Sequence, residues 1–98
     1  MPTHIGFVRF KDAQVRGKER ELEVGRAARS LTASLGGRIL SIYWTPGDPD
    51  LVIAFEGRDE AQAIRVFKAL ESQQNVTVRM IRGLTEGEKE RALQGKVV

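Results

Sequence analysis

Apolar positions along this chain change rhythm repeatedly, and each change marks an element boundary. Thr3 to Phe10 (THIGFVRF) is rich in β-branched and aromatic residues and reads as a strand. A polar stretch, Lys11 to Arg20, follows, in which Asp12 is placed to cap a short turn. From about Glu19 to Leu35 the apolar residues Val24, Ala27, Ala28, Leu31 and Leu35 recur at helical spacing and form one stripe. Gly36-Gly37 ends that helix, because glycine takes the left-handed conformation of a helix terminus at little cost. Arg38 to Thr45 and Leu51 to Glu56 are two further strands, and the turn formers Pro46-Gly47-Asp48-Pro49-Asp50 between them predict an antiparallel hairpin. Asp59, three residues before Gln62, opens a second helix whose buried stripe is read as Ala63, Ile64, Phe67 and Leu70. It fades at Ser72-Gln73-Gln74-Asn75. Val76 to Arg82 is a fourth strand, and Thr85-Glu86-Gly87-Glu88 caps a short charged helix ending near Gln94.

The order β-α-β-β-α-β with a tail helix predicts an α+β, ferredoxin-like sandwich: an antiparallel four-stranded sheet with both main helices on one side, the whole chain 1–98 being a single domain. Two helices cover only one face of such a sheet. Side chains alternate along a strand, so each strand divides into two sets. Ile5 and Phe7, then Leu40, Ile42 and Trp44, then Leu51, Ile53 and Phe55, then Val76, Val78 and Met80 are assigned to the helix side. The open side is then expected to carry His4, Val8, Phe10, Ile39, Tyr43, Val52, Ala54, Glu56, Arg79 and Ile81. That set is too apolar for a solvated face, and an apolar remainder of this kind marks an interaction surface. A second copy of the chain is the simplest cover.

Composition narrows the partners. Sixteen Lys and Arg stand against thirteen Asp and Glu, interleaved along the chain, whereas nucleic-acid binders concentrate their basic residues. Neither nucleic acid nor a membrane is expected as a partner, since no apolar run approaches a spanning length. The opening residues lack the layout of a signal peptide, which makes the cytoplasm the expected location. With no cysteine, disulfides, thiolate metal sites and cysteine nucleophiles are excluded.

The stretch Gly36 to Val52, with Thr45-Pro46-Gly47-Asp48-Pro49-Asp50 at its turn, resembles the GYD-domain proteins of bacteria and archaea. Thr45, Gly47 and Asp50 match the Thr-x-Gly-x-Tyr-Asp pattern, while Pro49 occupies its tyrosine position. Pro2-Thr3, Asn75-Val76 and Leu84-Thr85-Glu86 extend the resemblance over nearly the whole chain, and His4 stands where a tyrosine is common. The resemblance implies the ferredoxin-like fold and a dimer of the α/β-barrel type. The family has no settled biochemical function.

The candidate chemistry is sparse. Asp48 and Asp50 are close enough in sequence to hold a cation, but Asp and Pro are also what a tight turn requires, and the turn reading of Thr45, Gly47, Asp48 and Asp50 is preferred. His4 is the only histidine, so no multi-histidine metal site forms within one chain. No metal, cofactor or catalytic residue is assigned, and no phosphate loop or nucleophile motif occurs. His4, Tyr43, Val52, Glu56 and Arg79 are the expected interface or small-ligand residues, with Arg79 placed to receive an anionic ligand or, the preferred reading, to pair with Glu56 or its dimer mate. The expectation is a cytoplasmic homo-oligomer covered through its open face, with room for a small ligand there. The alternative is a cofactor-independent enzyme using His4, Tyr43 and Glu56 in an apolar cavity.

Overall fold

The computed structural model describes residues 1–12 and 18–95. Their elements are β1 (Thr3–Phe10), α1 (Lys18–Leu35), β2 (Arg38–Trp44), β3 (Leu51–Glu56), α2 (Glu60–Gln74), β4 (Val76–Gly83) and α3 (Glu86–Leu93). The strands form one sheet in the order β2-β3-β1-β4, each neighbouring pair antiparallel. This is the ferredoxin-like arrangement, with α1 and α2 packed on one side. The smallest extent of the Cα framework is 16 Å, the thickness of two layers. Most of the polar stretch before α1 lies outside the described residues.

The local signals act as their chemistry dictates. Gly36 and Gly37 both take positive φ (95° and 98°) after Leu35, and Asn75 closes α2 in the left-handed conformation with φ 52°. Asp59 caps α2 by accepting the backbone N–H of Gln62 at 2.9 Å. The Gln62 side chain does not complete the reciprocal box. It accepts the Arg58 N–H at 2.7 Å and donates to the Leu35 carbonyl at 3.2 Å, tying the end of α1 to the start of α2. Thr85 and Glu88 do form a full capping box at α3, and Arg82 bonds Glu88 at 3.1 Å. None of the α3 residues is buried, so this helix projects from the sandwich.

The core lies between sheet and helices: Val8, Phe10, Leu51, Ile53, Phe55 and Val76 from the strands, Val24, Ala28 and Leu31 from α1, and Ala63, Val66, Phe67 and Leu70 from α2. Three assignments made from the sequence are corrected here. Val66 takes the buried place given to Ile64, which is 41% exposed. The apolar residues of α2 span more than half its circumference, and the flank that carries Val66 is the buried one.

The second correction concerns β1, whose faces are reversed. His4, Gly6, Val8 and Phe10 face the helices, and Ile5 and Phe7 face outward. Gly6 explains the choice. A Cβ built there would stand 2.8 Å from the Phe67 ring, so the strand approaches α2 at the residue with no side chain. In β2 the register shifts between Ile39 and Ser41, leaving Leu40 without a cross-strand partner. This bulge turns Ile39 to the helix side, opposite Phe55, while Ile42 and Trp44 keep their expected face. Trp44 closes the rim over α1: its Nε1 donates to the Glu21 carbonyl at 3.0 Å, and its ring lies against Gly25.

Candidate functional site

Opposed residues of an antiparallel pair share a face, so the registers define the open side row by row. One row reads Ser41, Ala54, Ile5, Ile81 from β2 to β4, and the next reads Tyr43, Val52, Phe7, Arg79. Apolar side chains from all four strands therefore adjoin, with Tyr43 64% and Ile81 38% exposed. Charges frame the block. At one end Arg38 pairs with Glu56 at 3.3 Å, and at the other the Arg79 guanidinium lies over the Phe7 ring, 5.2 Å from its centre. Arg9 forms an ion pair with Asp48 beside it.

Tyr43, Val52, Glu56 and Arg79 thus share the open face, as the sequence predicts. Ile5 and Phe7 replace Val8, Phe10 and Ile39 as its apolar members. Arg79 does not pair with Glu56 within the chain: Glu56 has Arg38, and Arg79 covers Phe7.

His4 is the displaced residue. It is 3% exposed and stands opposite Phe55 and Arg82 on the helix side, so it neither meets Glu56 nor joins Tyr43. The His4-Tyr43-Glu56 arrangement required for the enzymatic alternative does not assemble, because the sheet itself separates its members. Instead His4 lines a cleft of about 170 Å³ with Pro2, Glu60, Met80 and Arg82. Its Nδ1 is buried and has no hydrogen-bond partner. Burial holds the imidazole below its ordinary value; Arg82 pushes in the same direction and Glu60 opposes. The residues of this cleft are scattered over the chain, so no local motif in the sequence marks it. Only the pairing of the first strand with the last, which puts His4 across from Arg82, signals it.

The hairpin turn is a structural clamp. Asp50 is buried, its carboxylate accepts the Phe10 N–H at 2.9 Å, and its own N–H bonds the Val8 carbonyl at 2.8 Å. Thr45 bonds back across the turn to Asp50 and Pro49, and Gly47 takes φ 148°. Asp48 is drawn outward to Arg9, so the two carboxylates serve separate partners. Among the described residues, no three His, Cys, Asp or Glu side chains cluster as metal ligands.

Thr45 and Gly47 thus shape the turn while Asp50 fixes it to β1, and the sequence profile of the GYD domain matches residues 5–93. The chain belongs to the GYD-domain family. No curated protein sequence matches this GYD domain. By structure it is similar to the leucine response regulatory protein LrpA of Mycobacterium tuberculosis, with a TM-score of 0.61 and 12% identity over 86% of this chain. The match takes in 51% of that protein, so the GYD domain spans about half its length. It is also similar to the C-terminal domain of the MgtC protein from Mycobacterium tuberculosis, with a TM-score of 0.56 and 18% identity over 84% of this chain and 86% of that one. At these identities the likenesses establish the fold. No helix among the described residues is long and apolar enough to cross a membrane.

Proposed function

We propose that this GYD domain is a self-associating module whose open sheet face is covered by the same face of a second copy, leaving room at that interface for a small ligand. The observation that carries the reading is the apolar block of Ile5, Phe7, Val52, Ala54 and Ile81, with Tyr43 at its margin. These residues adjoin across all four strands, and neither main helix reaches them.

Three features favour a second copy as the occupant. The face is nearly symmetric in character, apolar at its centre and charged at both ends, so it suits an isologous contact in which like surfaces meet. The central residues are aliphatic or aromatic, the composition of an interface core, while Arg38, Glu56 and Arg79 form a polar rim. One alternative route, extension of the sheet through edge strand β4, is obstructed: the Glu71 carboxylate accepts the outward Val78 N–H at 2.9 Å.

Mixed samples of isotopically labelled and unlabelled chain test the geometry. The reading predicts intermolecular nuclear Overhauser contacts from the methyl groups of Ile5, Val52 and Ile81. Contacts confined to β4 edge protons, or none at all, would overturn it.

A further inference from the structure

We propose that the cleft between the start of β1, the end of β4 and the first turn of α2 binds a small carboxylate that also carries a hydrogen-bond donor, the chemistry of a short hydroxy acid or amino acid. The site lies on the helix side of the sheet and is independent of the face assigned to self-association.

Its volume, about 170 Å³, suits a molecule of roughly five or six non-hydrogen atoms, taking ~30 Å³ as the share of one water. Three polar groups line it from different elements. Arg82, on β4, bonds Glu88 through one Nη at 3.1 Å and keeps further N–H donors for a carboxylate. His4 is its direct partner on β1. The buried Nδ1 has no acceptor, so a charged imidazolium would carry an unpaired N–H there. Hydrogen-bond accounting therefore assigns the neutral ring with its proton on Nε2, a second donor at the ring's other edge. Glu60, in the first turn of α2, is an exposed carboxylate with no ion pair among the described residues.

The charges then select the ligand. Arg82 faces His4 from β4, Glu60 faces it from α2, and Glu88 on α3 neutralises part of Arg82. A bare carboxylate satisfies Arg82 and His4 but meets repulsion from Glu60. A bare amine satisfies Glu60 and is repelled by Arg82. A molecule with a carboxylate at one end and an adjacent hydroxyl or ammonium answers both walls, with Met80 and Pro2 covering its carbon atoms.

His4 is the only histidine, so its ring resonances report the cleft without ambiguity. The full chain is titrated near neutral pH, at constant ionic strength, with glycolate, glycine, acetate and methylamine in turn. Glycolate or glycine is expected to shift the His4 ring signals saturably, with a Kd on the order of 1 mM for so small a ligand. Acetate should bind about tenfold more weakly, as the loss of one charge-assisted hydrogen bond implies, and methylamine should give no saturable shift. Arg82→Gln should weaken binding by about tenfold or more, and Glu60→Gln should abolish the preference for glycolate or glycine over acetate. Glu88→Gln breaks the same ion pair but keeps the guanidinium, so it should retain binding. Absence of a saturable shift from all four compounds overturns the proposal. So does equal binding of acetate and glycolate, or binding that survives Arg82→Gln.

Discussion

Phe7 and Val52 stand opposite each other on the two central strands with both side chains on the uncovered face. Ile5 and Ala54 repeat the relationship one row away, and Ile81 extends it to β4. An apolar centre of this kind, on a sheet already carrying helices on its other side, is the basis for the proposed self-association.

Val52→Glu tests that basis with little effect on the fold, since Val52 lies outside the buried core. In the paired state each copy would bury an unpaired carboxylate, at about 3 kcal/mol or more per charge. The expected result is a weakening of dimerisation by at least ~100-fold, with far-ultraviolet circular dichroism unchanged. An unweakened dimer would remove Val52 from the interface.

The approach of β1 to α2 at Gly6 gives a second expectation. In Gly6→Ala the added methyl would lie 2.8 Å from the Phe67 ring and 3.1 Å from a Val78 methyl. Overpacking of this kind costs about 1–3 kcal/mol, read as a lower denaturant midpoint at unchanged slope. Adding Phe67→Leu should recover part of the loss, because the ring is what the methyl meets. A Gly6→Ala protein of undiminished stability would contradict the assigned face of β1.

Asp50 joins the hairpin to β1. Asp50→Ala leaves the buried Phe10 N–H without its acceptor, which costs about 1–3 kcal/mol. Exchange of the Phe10 amide should accelerate more than that of the distant Leu70 amide in α2. Uniform acceleration at both would mean that the turn is not a local clamp.

Stability should also depend on pH through His4. Burial depresses its folded-state value below the ordinary 6.5, so the unfolded chain binds the proton more readily. Stability is therefore full above the unfolded value and falls as pH drops through 6.5 towards the folded value. A replacement that does not titrate, His4→Gln, should flatten the unfolding free energy across that window. A slope that persists in the variant would assign the dependence to other groups. Asp59 and Glu88 act at lower pH. Each carboxylate is held below its ordinary value, first by a backbone N–H, of Gln62 and Thr85 respectively, and their contribution disappears only as pH falls into the carboxylate range.

Much of this architecture is legible in the sequence, because capping residues and turn formers act locally. Gly36-Gly37, Asp59 and Thr85 mark their boundaries through interactions with neighbours a few residues away. The faces of β1 are not legible in the same way. Ile5 and Phe7 alternate with Val8 and Phe10, so both faces read as apolar, and the decision falls to Gly6, whose bare backbone accommodates Phe67. The β2 bulge at Leu40 is equally hidden, since no glycine announces it. The reversed faces of β1 moved His4 from the proposed interface to the cleft with Arg82 and Glu60, and the bulge moved Ile39 to the helix side, while Tyr43, Val52, Glu56 and Arg79 kept their places.

The solution mass of the full chain, measured by sedimentation equilibrium at micromolar concentration, bears most directly on self-association. The account predicts a mass of about twice the 10.9 kDa chain, returning to the single-chain value in Val52→Glu. A wild-type chain that remains at 10.9 kDa throughout that range would contradict it.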